Sequence, residues 1–581
     1  MSLSRREFIR LLGLAGAAGL LPRWGLASHK QPTDLYEVPR FGEVRLLHFT
    51  DTHAQLLPVY FREPSVNLGM GDFRGRAPHL VGKAFLDHFG IVNDPLGSHA
   101  FTYLEFEETA RRYGQVGGFA HLHTLVKQLR AIAGEGNSLL LDGGDTWQGS
   151  GTALWTQGQD MVDACKLLGV DCMVGHWEFT YGEERVKEIV ANDLEGHIDF
   201  LAHNIQDNEF GDPVFKPYAL KRVGGHLVAI IGQAFPYTPI ANPRYKIPRW
   251  SFGINEEHAQ QMVEEVRKQG AEVVVLLSHN GMDVDLKMAS RVQGIDVILG
   301  GHTHDGMPAP SLVTNSSGKT LVVNSGSQGK FLSLLDFEVK DGQVKDFRYR
   351  LLPVFSNLLM PAPEMMALID NVRRPYLDKL GEKLATTEQT LYRRGNFNGT
   401  FDQVIVDALR HVKGADVAFS PGFRWGTTVL AGDDITFERV MDQTGLTYPK
   451  VTLTPMTGEK IHTIMEDVCD NLFNKDPYYQ QGGDMVRVGG VDYVLDPNET
   501  IGKRISEIHI AGKPIEANKE YLVAGWASVV EQPDNLENIW DVVANYLREK
   551  KTIRIEHMNV PKLKNVAGNP GIADYSGEIL N

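Results

Sequence analysis

Cysteine is scarce in this 581-residue chain: Cys165, Cys172 and Cys469 are the only three. A disulfide framework uses an even set, so no structural disulfide network is expected and buried thiols are the simpler reading. Long hydrophobic runs are missing too, and the apolar stretch Leu11–Leu21 is too short to span a bilayer, which argues against membrane insertion. Positive charge is in deficit, with 58 Lys and Arg against 73 Asp and Glu for a net charge of −15. That sign opposes attraction to polyanions, and no nucleic-acid partner is expected. Neither a repeat nor a low-complexity tract is visible. What is present, 42% apolar and 23% charged residues, describes a globular chain able to bury large cores in two or three units.

The N-terminus reads as an export signal. Ser4-Arg5-Arg6-Glu7-Phe8-Ile9 precedes the Leu11–Leu21 run, and the small residues from Gly25 to Ala27 offer a cleavage point. Paired arginines followed by an aromatic match a twin-arginine signal over residues 1–27, which predicts a folded protein delivered to the periplasm.

From residue 28 to 355 short apolar runs alternate with amphipathic segments. Strands are predicted at Val44–Thr50, Ser138–Asp142, Val170–Val174, Leu227–Gly232, Val273–Ser278, Ile295–Leu299 and Leu321–Asn324. Helices fall between them: His258–Lys268 follows the N-cap candidate Asn255, and Leu122, Leu125, Val126 and Leu129 repeat at helical spacing before Gly134. Near-continuous apolar strands separated by helices indicate a layered α/β core. Within it, residues 57–117 fit neither period and read as an insertion, either a roof over a site or a decoration. Residues 356–387 read as a linker whose helix spans Glu364 to Leu384. A second, α+β domain is expected over 388–581, with strands at Asp416–Ser420, Ile505–Ile510 and Tyr521–Ala524 and a helix at Phe401–His411.

The informative pattern is where His and Asp fall. Asp51 and His53 follow the first predicted strand, Asp145 follows Ser138–Asp142 through two glycines, and His176 follows the strand ending at Val174. His279 ends Val273–Ser278, and His302 and His304 follow Ile295–Leu299. In open α/β sheets ligands bind beyond the carboxyl ends of strands, so five strand ends deliver metal-competent side chains to one edge. A single strand-end histidine is usually structural; five such ends together are not.

The series D-x-H, G-D, G-[N/H]-x-E, S-H-x-G and G-H-x-H resembles the calcineurin-like metallophosphoesterases, and the following α+β domain resembles the two-domain 5′-nucleotidase branch. The resemblance covers nearly the whole chain after the signal. It implies a metallophosphoesterase-like sandwich followed by a 5′-nucleotidase-like domain. One metal would take Asp51, His53, Asp145 and His304, the other Asp145, His176, His279 and His302, with Asp145 shared. Such pairs activate water at neutral pH and neutralise an oxyanion under attack.

Departures from the nucleotidase pattern refine this. Where nucleotidases show G-N-H-E-F-D, this chain has Gly175-His176-Trp177-Glu178-Phe179-Thr180, so the Asn ligand becomes His176 and the His–Asp catalytic dyad becomes Trp177 and Thr180. The second-domain stretch N-G-G-x-I-R appears as Ser420-Pro421-Gly422-Phe423-Arg424-Trp425, and the G-G-D-G expected after the Tyr521 strand is replaced by Gly525-Trp526-Ala527-Ser528. With Ser278-His279-Asn280-Gly281-Met282 and the export signal, these residues resemble the SoxB family of thiosulfohydrolases. That resemblance implies a periplasmic enzyme with two manganese ions, other divalent transition metals remaining open, which hydrolyses cysteine S-thiosulfonate on a SoxYZ-type carrier protein and releases sulfate. Trp177 and Arg424 would then belong to the catalytic site, with Arg424 and Asn204 as substrate contacts, although a turn-stabilising amide is the simpler role for Asn204. A 5′-nucleotidase or related phosphoesterase is the alternative.

Overall fold

A computed structural model describes residues 35–91 and 95–580, so the expected export signal lies outside the described residues. Among the described residues no helix is long and apolar enough to cross a membrane, and the three cysteines are buried and unpaired with one another.

The first half of the chain holds two six-stranded mixed sheets. In one, Val44–Phe49, Ser138–Asp142, Cys172–Met173 and Asp199–Phe200 run parallel, and Phe331–Lys340 joins the first of them antiparallel. In the other, His226–Gln233, Val273–Ser278, Val297–Gly300 and Gly318–Asn324 run parallel between antiparallel edges. Strand alternation builds the layers. Val44, Leu46, Leu139 and Leu141 share a core with Val228, Val274 and Ile298 of the second sheet. Their alternates Leu47, Phe49 and Leu140 share another with Leu122, Leu125 and Leu129 of helix Phe119–Ala133. Each such side chain contributes roughly 1.5–3 kcal/mol on burial. The expected helix after Asn255 spans Glu256–Lys268, with the Asn255 side chain accepting from the His258 N–H.

The linker differs from expectation. Its helix spans Pro363–Arg373 and then breaks at Arg374–Tyr376, where Pro375 has no N–H to continue the ladder. Leu384 lies instead in the strand Lys383–Thr387, which pairs with Asp434–Thr436 and Thr552–Ile553 and so joins a C-terminal sheet ahead of residue 388. Two further sheets complete that half, with Val417–Ser420 between Glu520–Trp526 and Arg487–Gly489, around the packed helices Thr400–Lys413 and Ile539–Lys550.

The 57–117 segment also differs from expectation. It carries three helices, Gly82–Phe89, Pro95–Phe101 and Phe106–Tyr113, each too short to display several turns of periodicity in the sequence. It closes through a Val59–Val116 bridge and reaches the C-terminal half through Tyr60–Thr428 and Val66–Ile572.

Candidate metal centre

The five strand ends converge, but from two sheets rather than along one edge. The first sheet supplies Asp51, His53, Asp145 and His176, and the second supplies His279, His302 and His304. They form two buried clusters, Asp51–His53–Asp145–His304 and Asp145–His176–His279–His302, with the ligand atoms in each within 4.8 Å of one another and Asp145 in both.

Distances show how tightly the groups are held. His279 Nε2 lies 3.0 Å from Asp145 Oδ2 and 3.7 Å from Asp51 Oδ1. His176 Nδ1 is 3.2 Å from the Asp145 carboxylate, His304 Nε2 is 3.2 Å from Asp51 Oδ1, and the Nε2 atoms of His53 and His304 face each other at 3.1 Å.

These residues fit divalent cations. His279 Nδ1 donates to the Gly143 carbonyl at 2.5 Å, which turns Nε2 toward the Asp145 and Asp51 carboxylates. Burial lowers His53 to about 4, and His302 and His304 are also pushed well below the usual histidine range, so these rings are neutral and keep a lone pair free. Burial alone would lower His279 as well, but the Asp145 and Asp51 carboxylates raise it to about 10. The carboxylates thus demand positive charge at that point. Imidazole and carboxylate donors without thiolate suit manganese, iron or zinc.

Several residues that build the centre were given no role from sequence. The fully buried Glu178 carboxylate accepts the backbone N–H groups of His176 at 2.8 Å, Thr146 at 2.6 Å and Trp147 at 3.1 Å, tying two ligand loops together. Phe235 packs on the His176 and His302 rings with centroids at 4.0 and 4.2 Å. Gly482 presses on His302 so closely that a Cβ there would lie 1.9 Å from Nε2, and its φ of +81° also favours glycine. The Gln481-Gly482-Gly483-Asp484 run was legible, but it stands well before the position where the nucleotidase pattern places its glycine pair.

A cavity of about 310 Å³ opens over both clusters, lined among others by His53, His176, Trp177, Phe423, Arg424 and Trp425. Trp177 meets Phe423 and Trp425 edge to face at 5.1 and 5.0 Å, and its backbone N–H donates to Asp145 Oδ1 at 2.8 Å. Arg424 Nη2 donates to the Gly483 carbonyl, while Nη1 is buried without a partner. Asn204 does not line the cavity. Its amide bonds the Ala234 N–H and carbonyl and the Gly253 carbonyl, a loop-stabilising arrangement. The described residues of the 57–117 segment do not line the cavity, but Asn67, Leu68 and His79 line a smaller cavity beside it that shares His302, Arg424, Gly482 and Asp484.

Residues 44–306 match the calcineurin-like phosphoesterase family, and residues 383–539 match the 5′-nucleotidase C-terminal domain. Rat 5′-nucleotidase is 25% identical over 500 residues, covering 77% of this chain and 83% of its own length. A 5′-nucleotidase precursor from Thermus thermophilus shares the fold, with a TM-score of 0.70 at 20% identity and coverage of 90% of this chain and 99% of its own. The sulfate thiohydrolase SoxB of Thermus thermophilus, solved with glycerol, is 38% identical with a TM-score of 0.85, covering 91% of this chain and 98% of its own. The chain therefore belongs to the calcineurin-like phosphoesterases of two-domain 5′-nucleotidase architecture, and within them to the SoxB-like branch. It is a SoxB-like metal-dependent hydrolase.

Proposed function

We propose that the chain is a thiosulfohydrolase that releases sulfate from cysteine S-thiosulfonate on a SoxYZ-type carrier protein, with two manganese ions held by Asp51, His53, Asp145, His176, His279, His302 and His304. The reaction is R–S–S–SO₃⁻ + H₂O → R–S–SH + HSO₄⁻: the S–S bond breaks, water oxygen joins the sulfonate sulfur, and the sulfur chain leaves as a persulfide. Paired ions supply Lewis acidity and water activation. The chain's own residues do the rest. Arg424 offers its unpartnered Nη1 to the sulfonate, and Trp177, Phe423 and Trp425 form an apolar wall for the sulfur chain.

The observation that carries this reading is that wall. Apart from the clustered residues, the ionisable groups lining the cavity are Arg424, Asp467 and Asp484. Asp467 is exposed, and Asp484 is engaged by Asn396 and Arg487. No paired acid therefore stands ready to protonate a leaving alkoxide, and a persulfide, a far weaker base, departs without one. Arg5-Arg6 and the apolar run behind them support twin-arginine export to the periplasm. Residues 28–355 would form the metal domain, and 388–581, extended back to the Lys383–Thr387 strand, the carrier-binding domain.

The test is to incubate manganese-loaded protein with a thiosulfonate-bearing carrier and, separately, with 5′-nucleotides, measuring sulfate and phosphate. Sulfate release at least about 100-fold faster than phosphate release is expected, the scale of a missing general acid. Nucleotide turnover as fast as sulfate release would overturn the reading in favour of a 5′-nucleotidase.

A further inference from the structure

The family pattern places Asn where this chain has His176, and the two differ in a way that requires another residue. An amide oxygen presents lone pairs only. A neutral imidazole carries one proton, and the nitrogen that holds it cannot bind a cation, so a histidine ligand needs a neighbour that selects its tautomer.

His176 has one such neighbour. Its Nδ1 faces the Asp145 carboxylate at 3.2 Å and its Nε2 faces Asn242 Oδ1 at 3.2 Å. Phe235 covers the ring face, which fixes its plane. Asn242 is itself held: it caps the short helix Thr238–Ala241, its backbone N–H donates to the Thr238 carbonyl at 3.0 Å, and its Nδ2 donates to the Tyr448 hydroxyl at 3.4 Å. Asn242, His176 and Tyr448 are all buried. Tyr448 belongs to the second half of the chain and stacks parallel to Trp177, with ring planes 8° apart.

We propose that Asn242 is a positioning residue for the metal pair: its Oδ1 accepts the Nε2 proton of His176 and so leaves Nδ1 as the free nitrogen that faces Asp145 and a cation. The opposite amide orientation would donate to Nε2, put the ring proton on Nδ1 and aim it at Asp145, where it blocks a cation. The contact with Tyr448 holds the amide nitrogen away from His176. This rests on His176 being a ligand, and the test separates the two ideas.

Manganese is titrated into the metal-depleted full-length protein, with binding followed by dialysis and the spin-coupled pair by electron paramagnetic resonance. Asn242→Leu, which removes the acceptor, is expected to weaken one of the two ions about 10- to 100-fold while leaving the other within about threefold. Asn242→Asp can only accept, selects the same tautomer, and should hold both ions within about threefold of the unsubstituted protein. His176→Ala is expected to lose the same ion as Asn242→Leu. Wild-type binding in Asn242→Leu overturns the tautomer role while His176→Ala still loses an ion, and if His176→Ala also keeps both, the ligand assignment falls with it. Equal loss in Asn242→Leu and Asn242→Asp would show a packing role and also overturn the proposal.

Discussion

Asp51, His53, Asp145, His302 and His304 all sit on left-handed backbone, with φ between 45° and 71°. That region costs a non-glycine residue roughly 1–3 kcal/mol and persists only where the surroundings enforce it, which is common at functional sites. Residue identity was legible, because His and Asp stand immediately after apolar runs. The strain was not, since it arises when loops from two sheets must meet at Asp145. Trp177 was legible as a departure, and the structure gives it two neighbourhoods at once: the metal cluster through its N–H, and the aromatic core of the second half through its ring. If its ring replaces a proton donor, Trp177→Phe should keep sulfate release within about threefold, while Trp177→His with Thr180→Asp should raise phosphate relative to sulfate release by about tenfold or more. Parallel assays of both products check this. An unchanged ratio in a folded, metal-loaded double variant would make Trp177 a packing residue only.

At the scale of elements, the centre depends on how loops are pinned to strand ends. Ser138–Asp142 and Val273–Ser278 coincide with their sequence-predicted bounds because each is a continuous apolar run ended by a polar residue. The linker helix was overextended because amphipathic spacing continues past Pro375, and the proline's missing N–H decides against it. Glu178 was legible as the acidic position of the G-[N/H]-x-E motif, but its role was not, because its partners are backbone N–H groups. Its carboxylate takes N–H groups from both the 145–147 and the 176–178 loops. Removing it strands buried donors, each costing about 1–3 kcal/mol. Glu178→Ala should therefore destabilise the protein by about 3 kcal/mol or more and lose bound metal, although Glu178 is no ligand. Denaturant unfolding together with metal analysis measures both, and full metal content would show that the loops hold without it.

The whole molecule is strapped together by the 57–117 segment. The Leu68 N–H donates to Asn396 Oδ1 and the Asn67 N–H to the Gly571 carbonyl, each at 2.7 Å, while Glu63 pairs with the buried Lys330 and His79 with Asp283. An irregular stretch in sequence is thus a clamp between halves, invisible beforehand because its partners lie hundreds of residues away. The His79–Asp283 bond, 2.9 Å long, makes the clamp sensitive to pH. Burial lowers His79, Asp283 and Asp305 opposite raise it, Arg424 opposes them, and the net shift is upward from 6.5. A folded-state value above the unfolded one means that the stabilisation is fully present below about pH 6.5 and is lost as pH rises through the raised value. A hydrogen bond to a charged group is worth about 1.5–3 kcal/mol. Amide exchange within residues 67–82, corrected for intrinsic rate, should therefore lose about tenfold protection or more between pH 6 and pH 9. In His79→Gln the protection should be low at both values and nearly independent of pH. The same pH trend in that variant would place the sensitivity in another group and refute the role of His79 in the clamp.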